Sequence, residues 1–399
     1  MFFVFVIAGL ALLVVCGLYV RRRLTGALTQ LGVGARPVRV VRWVMVWLLY
    51  GYPVLLIGAI AGSRLLGQAT LPRFDGLIAS WLLGIPFILA VLVVFQAVPW
   101  LLAVDLAYLA TRRRIASAPR VRALVVLAVL GVFALYTPIR ILAERGDVRI
   151  RHHTITATPS PAAPPFRIAY FADLQQDVHT DGDRARELFA VINAWQPDVV
   201  LSGGDWINTG PDYIDAAAAA ASTLHSRLGT FSVRGDHEHF AYVDRNRSVA
   251  EVERAMRAAH VDMVDNEVRW FEHAGKRIGV AFLNYNYIHR SDRETITALV
   301  AQLAPADYSI VITHQLDNNL AALLEDKVDL VLGAHTHGGQ VNPVVGICHV
   351  PLARLETDFI DGRYQLGRTT VLVTAGIGYS IVPVRYAAPG SIELIELAL

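Results

Sequence analysis

Four long apolar runs fill the first 145 residues of this chain: Phe2–Val20, Val44–Gly62, Leu77–Leu102 and Leu124–Leu142. A helix needs about 20 apolar residues to cross the hydrocarbon core of a bilayer, and each run meets or approaches that length. A charge at the centre of such a helix would cost about 2.5–3.5 kcal/mol, and the centres of all four runs carry none. The expectation is an all-α transmembrane region of four helices at residues 1–145, a multi-pass anchor in the cell membrane. A composition of 54% hydrophobic residues, with mean hydropathy +0.43, agrees with a membrane part. Pro53, Pro86 and Pro99 are expected to kink the second and third helices, which bundle neighbours can tolerate.

Charge order sets the expected orientation. No basic residue precedes the first run, and Arg21, Arg22 and Arg23 follow it, which suits an uncleaved helix rather than a signal peptide. Arginines gather after the first run (Arg21–Arg23, Arg36, Arg39) and after the third (Arg112, Arg113, Arg114, Arg120, Arg122). The loop between the second and third runs has Arg64, Arg73 and Asp75. The positive-inside rule puts the two Arg-rich loops in the cytoplasm and the remainder of the chain outside. Arg140, Arg145, Arg149 and Arg151 oppose that placement, but a long domain translocates largely regardless of its charge. Asp105, near the end of the third run, is expected at the membrane interface. The runs lack the internal acidic and basic pairs that mark a transport path. A net charge of +2, without a basic stripe, gives no support for a nucleic-acid partner, and none is expected. Cys16 and Cys348 are too far apart in sequence to suggest a disulfide, and they do not identify a redox compartment.

Residues 146–165 read as a linker, Pro-rich and semi-rigid over Thr154–Pro165. A soluble domain is expected at 166–399, where short apolar runs alternate with helical patterns. Strands are expected at Arg167–Ala172, Asp198–Ser202, Thr230–Val233, Arg277–Leu283, Tyr308–Thr313, Val328–Leu332, Thr370–Thr374 and Ser391–Leu397. Helices are expected around Arg184–Trp195, Tyr213–Arg227, Ser248–His260, Ser291–Leu303 and Asp317–Glu325. This alternation implies an α/β layered domain with buried strands.

Five segments following these strands end in metal-ligand residue types. They contain Asp173 and Gln175; Asp205 and Asn208; Asp236, His237 and Glu238; His314; and His335 and His337. Loops at the carboxyl ends of strands in a layered α/β domain converge on one crevice. So many carboxylates and imidazoles together need cations between them, and that mixture suits Mn²⁺, Fe or Zn²⁺ rather than Ca²⁺.

In this order the segments resemble the calcineurin-like metallophosphoesterases, whose pattern runs Asp-x-His, Gly-Asp-x-x-Asp/Asn, Gly-Asn-His-Glu/Asp, a lone His and Gly-His-x-His. Gly338–Val341, Thr374–Tyr379 and Ala388–Glu393 are similar to the membrane-associated bacterial branch. The resemblance covers about residues 166–399 and implies a four-layer αββα sandwich with two divalent metal ions. It implies one ion on Asp173, Gln175, Asp205 and His337, and the other on Asp205, Asp236, His314 and His335, with Asp205 bridging. His237 would meet the phosphate or protonate the leaving group, oriented by Glu238. Asn208 fills the last place of the second motif. The implied reaction is hydrolysis of a phosphoester or pyrophosphate bond by a water activated between two metals. Tethering points to a phosphorylated small molecule or a lipid-linked substrate.

Two positions depart from the family pattern. Gln175 stands where His is usual, and Asp236 stands where Asn is usual. A weaker neutral ligand on one ion is offset by an added charge at the other, which implies altered metal preference. The same changes leave open a catalytically degenerate membrane sensor or scaffold. His179 is a possible replacement imidazole, although a plain loop histidine is the simpler expectation. His152, His153, His239 and His349 are expected to be solvated or at the surface, and Asp177, Asp181 and Asp183 to form a solvated loop and helix start.

Overall fold

A computed structural model of the chain describes residues 2–70, 72, 76–157, 164–380 and 382–399, with side chains from residue 9 onward. It divides into two compact units. The first comprises Met1–Gly62, Gly76–Arg145 and Asn342–Val350; the second comprises Ser63–Asp75, Gly146–Val341 and Pro351–Leu399.

In the first unit, every apolar run lies within a longer helix: α1 (Phe2–Gln30), α2 (Ala35–Leu65), α3 (Leu77–Thr111) and α4 (Ala118–Glu144). Among the described residues three of these, α2, α3 and α4, are long and apolar enough to cross a membrane, against the expected four. The described side chains of α1 begin at residue 9, and its remaining length takes in Arg21, Arg22 and Arg23. A π-helical turn at Ser80–Gly84 precedes Pro86 in α3, while Pro53, Pro99 and Pro138 lie inside helices. Leu13, Val20, Leu49, Val94, Ala97, Leu101 and Val126 pack at the centre of the unit. Asp105 is held by Arg23 and Arg122, each at 2.5 Å, and by the Tyr19 hydroxyl at 2.7 Å.

The second unit holds two six-stranded sheets. Strands β1 (Val148–Thr156), β2 (Phe166–Phe171), β3 (Val199–Ser202), β4 (Thr230–Ser232) and β5 (Val261–Met263) join the last strand, β14 (Gly390–Ala398), in the order β1-β14-β2-β3-β4-β5. The other sheet runs β12-β13-β9-β8-β7-β6. It is built from β6 (Glu267–His273), β7 (Lys276–Leu283), β8 (Tyr308–Thr313), β9 (Leu330–Gly333), β12 (Gly362–Leu366) and β13 (Thr369–Val373). A small hairpin, β10 (Val344–Val345) with β11 (Cys348–His349), belongs to the first unit.

The period-2 alternation of strand side chains creates the layers. Ile168 and Tyr170 of β2 and Val199 and Leu201 of β3 face Ile278, Phe282, Ile310 and Leu332 of the other sheet. Ala169, Phe171 and Val200 turn the other way, onto the helices α5 (Gly182–Ala194), α6 (Ile214–Ala221) and α7 (Arg245–Ala258). Helices α8 (Arg293–Ala301) and α9 (Asn318–Leu324) cover the second sheet through Ile296, Leu299, Leu320 and Leu324. The result is the αββα arrangement. Four of these helices open on an Asp whose side chain accepts from the first turn: Asp181, Asp244, Asp292 and Asp317.

The sheet begins earlier than Phe166. β1 lies within the expected linker and pairs with β14 in parallel register from Val148↔Gly390 to Thr156↔Ala398. Its Arg and His residues alternate with apolar ones because the strand sits at a sheet edge. Residues 158–163 of the expected linker lie outside the described residues.

Candidate metal centre

The structure brings together the sequence-predicted ligands from the ends of five strands. Asp173 and Gln175 follow β2, Asp205 follows β3, Asp236 follows β4, His314 follows β8, and His335 and His337 follow β9. Short backbone ladders lock the first two loops: Asp173 N–H donates to the Gly204 carbonyl at 2.9 Å, and Gln175 N–H to the Asp205 carbonyl at 2.8 Å. Gly204 sits at φ +91 where a Cβ would strike the Gly235 nitrogen, so only glycine lets these loops meet. Asp173, Gln175, Asp205, His335 and His337 all adopt positive φ. Non-glycine residues pay about 1–2 kcal/mol each for that conformation, which persists where the surroundings enforce it and is concentrated at functional sites.

Ligand atoms of Asp236, His314 and His335 lie within 4.8 Å of one another, as do those of Asp173, Asp205 and His314. His335 Nδ1 is 3.0 Å from Asp236 Oδ2, and His314 Nε2 is 3.4 Å from the same oxygen and 3.5 Å from Asp205 Oδ2. The His314 Nδ1–H donates to the Gly203 carbonyl at 2.7 Å, which leaves Nε2 facing the carboxylates. Gln175 Nε2 is 3.1 Å from both Asp205 Oδ2 and His337 Nε2, and His337 Nε2 is 4.0 Å from Asp173 Oδ1.

Buried acceptors without hydrogen-bond partners test whether this cluster suits cations. Asp173 Oδ1 and Gln175 Oε1 are buried without a hydrogen-bond partner, and Asp236 Oδ2 faces only the His314 and His335 ring nitrogens. Leaving such groups unsatisfied costs about 1–3 kcal/mol each, and more when charged. Burial pushes the Asp173 carboxyl up to about 6, with His314 opposing and Asp205 adding to the rise. Burial disfavours charge on His314, yet Asp205, Asp236 and Asp173 raise it to about 10. Asp236 is held well below the usual carboxylate range; burial works against this, and hydrogen bonds to His314 and His335 outweigh it. The carboxylates favour the charged forms of His314 and His335, whereas burial favours neutral His337, and divalent ions fit the same donors.

Several neighbours differ from expectation. Glu238 does not orient His237. It is fully buried and accepts three backbone N–H groups, from Gly235 at 2.6 Å, Trp206 at 2.7 Å and Asp205 at 3.0 Å. Burial and the Asp205 charge push Glu238 up to about 7, against those three donors. His237 is instead positioned by Nδ1, 2.5 Å from the Asn208 carbonyl, with Nε2 3.9 Å from Asp205 Oδ2. The Asn208 amide donates to Asp177 at 2.9 Å. Asp177 is buried rather than solvated, because it also accepts from the N–H groups of His179 and Thr180. His179 is not part of either ligand group among the described residues. His239 is buried, and His153 pairs with Glu393 at 2.6 Å.

Two supporting residues carry no motif signal. Glu356 Oε1 stands 3.3 Å from His335 Nε2 and accepts from Gln315 at 2.5 Å, which turns His335 Nδ1 towards Asp236. Arg385 is buried and donates to five carbonyls, those of His337, Ala375, Gly376, Gly378 and Ala388. Burial lowers its guanidinium to about 10. It ties the His337 turn to both glycine-rich segments at the C-terminal end of the sheet.

Comparison with known proteins agrees with this geometry. Residues 166–339 match the family model for calcineurin-like phosphoesterases. The chain is 26% identical over 273 residues to an uncharacterized metallophosphoesterase of Campylobacter jejuni, covering 68% of each chain. It is 26% identical over 256 residues to the uncharacterized metallophosphoesterase YkuE of Bacillus subtilis, covering 63% of this chain and 85% of that one. A bovine transmembrane protein with a metallophosphoesterase domain is 26% identical over 260 residues, covering 61% of this chain and 56% of its own length. Residues 166–339, with their clustered aspartates and histidines, are therefore a calcineurin-like phosphoesterase domain, carried behind a helical region with three helices able to cross a membrane.

Proposed function

We propose that this protein is a membrane-anchored, metal-dependent phosphoesterase that hydrolyses a phosphoester or pyrophosphate bond. The observation that carries the proposal is the convergence of Asp173, Asp205, Asp236, His314 and His335 into two ligand groups, with buried acceptors on Asp173 and Gln175 left without partners. One ion would rest on Asp173, Gln175, Asp205 and His337, and a second on Asp205, Asp236, His314 and His335. When bound, such a pair supplies Lewis acidity and lowers the pKa of water towards neutrality. Gln175 would bind through its amide oxygen. His237, with Nδ1 held by the Asn208 carbonyl, keeps Nε2 free to hydrogen-bond a phosphate oxygen or to give a proton to the leaving oxygen. Glu238 fixes the loop on which His237 stands. The arginine distribution supports a catalytic domain on the outer face.

One observation favours a second reading, a scaffold that binds without turnover. The Gln175 amide donates towards Asp205 and His337, so it can satisfy part of the first site without an ion. Activity separates the readings. Purified full-length protein with Mn²⁺ should hydrolyse a generic aryl phosphodiester, and His237→Ala should lower kcat about 10²–10⁴-fold, as expected for loss of an acid–base group. Equal rates in wild type, His237→Ala and Asp205→Ala would remove the catalytic reading.

A further inference from the structure

Five residues after His337 the chain leaves the phosphoesterase domain. Asn342–Val350 belongs to the helical unit, and the chain returns at Pro351. The excursion is the β10–β11 hairpin, paired Val344↔His349 and Val345↔Cys348, with Gly346 at φ +66 opening its two-residue turn. Ile347 at the tip is 90% exposed. Beyond Arg145, eight large apolar side chains are exposed among the described residues, and Val345, Ile347, Val350, Leu352 and Leu355 are five of them. Soluble proteins rarely concentrate exposed apolar groups in one short stretch unless it has a partner.

The helices indicate which partner. Val344 N–H donates to Gln96 Oε1 at 3.4 Å, and Gln96 Nε2 donates to Thr137 at 3.1 Å. Both side chains are fully buried in otherwise apolar helices. Thr137 lies inside the apolar run of α4, seven residues or about 10 Å before its last residue, Glu144. A backbone N–H at that depth needs an acceptor within the protein, because hydrocarbon offers none. Gln96 provides one, which explains a buried glutamine in α3. The hairpin therefore sits beside the membrane helices at the depth of their apolar runs, with Ile347 and Val345 facing outward.

We propose that the Val344–His349 hairpin inserts into the acyl boundary of the bilayer, and that the site it adjoins in sequence acts on phosphates borne at the lipid headgroup level. The lipid contact stands on the hairpin alone; the substrate class rests on the phosphoesterase reading. The chain also returns from the hairpin through the Leu352–Leu355 turn to Glu356, which touches His335. One excursion thus links the lipid-facing tip to the carboxylate that orients a candidate ligand.

Cys348, exposed beside the tip, serves as a reporter. A polarity-sensitive fluorophore is placed on Cys348 of the full-length Cys16→Ala chain in phosphatidylcholine nanodiscs. It should be blue-shifted, quenched by lipids spin-labelled on the acyl chain and protected from aqueous iodide. The same label at Glu187→Cys, in a chain lacking both native cysteines, should behave oppositely. A Cys348 label open to iodide and unquenched by the lipids overturns the insertion, whatever the activity. For the substrate class, hydrolysis of phosphatidic acid in nanodiscs is compared with that of a water-soluble aryl phosphate. Ile347→Glu combined with Val345→Glu should lower the first by about tenfold and leave the second unchanged, the cost of exposing buried apolar area to water. Turnover of the soluble ester alone, or equal loss on both, overturns the substrate assignment. No turnover of either substrate by a wild type that hydrolyses the aryl phosphodiester would overturn the substrate assignment alone; no turnover of the diester as well would refute the phosphoesterase reading, with the fluorophore still deciding the lipid contact.

Discussion

Asp205→Asn should abolish metal-dependent hydrolysis, by about a thousandfold or more, while leaving the fold intact. Asp205 is the carboxylate shared by both proposed ion sites: Oδ2 is 3.5 Å from His314 Nε2 and 3.1 Å from Gln175 Nε2. Its other oxygen accepts the His237 N–H at 2.8 Å, a bond that an asparagine oxygen can keep. The substitution therefore removes a charge and not a clamp. Without ions, it relieves repulsion with Asp173 and Glu238 but also weakens the hold on His314, so the melting temperature of the metal-free variant should stay close to that of wild type. The rise in melting temperature that Mn²⁺ gives the wild type should disappear, as linkage requires when the folded state loses affinity. A variant that still gains stability from Mn²⁺ would show that Asp205 does not bridge.

Glu238→Ala should act in the opposite way, through stability. Glu238 is a carboxylate joining the loops after β3 and β4, and its loss strands the N–H groups of Gly235, Asp205 and Trp206 in a fully buried place. Orphaned buried donors cost about 1–3 kcal/mol each, so a loss of about 3–5 kcal/mol is expected after partial relaxation. In a domain of this size that is a fall in melting temperature of about 10 °C. Activity should fall with it, because Asp205 and His237 both stand on the loops that come apart. A melting temperature within a degree or two of wild type would mean that the three bonds are replaced by water.

Most of the ligands were legible because they stand shortly after a run of apolar residues buried on both faces, as after β2, β3, β8 and β9. Such runs fix both the strand and where its loop begins, and the loops of two sheets then have one place to meet. β1 has no clear sequence signal because Val148–Thr156 is an edge strand in which charged and apolar residues mix, and its register depends on β14, more than 230 residues away. β6 is similarly half-exposed and polar. The hairpin strands are too short for any periodicity. The sequence does not show what Glu238 holds, because adjacency to His237 does not imply contact: the 3-10 turn at His237–His239 points the two side chains to different partners. Glu356 and Arg385 have no local pattern at all. Their roles exist only once β9 and β13 are paired in one sheet and β14 has joined the other.

The central claim is that the cluster holds two cations. Elemental analysis of the full-length protein, purified without chelators and then equilibrated with Mn²⁺, tests it most directly. Two metal ions per chain are predicted for wild type, and Asp205→Asn should hold fewer. The ion on Asp173, Gln175, Asp205 and His337 should be the first removed by a chelator, because its amide ligand is the weakest. Less than one ion per chain, with no rise in melting temperature on adding Mn²⁺, would contradict the account and leave a phosphoesterase fold used as a scaffold.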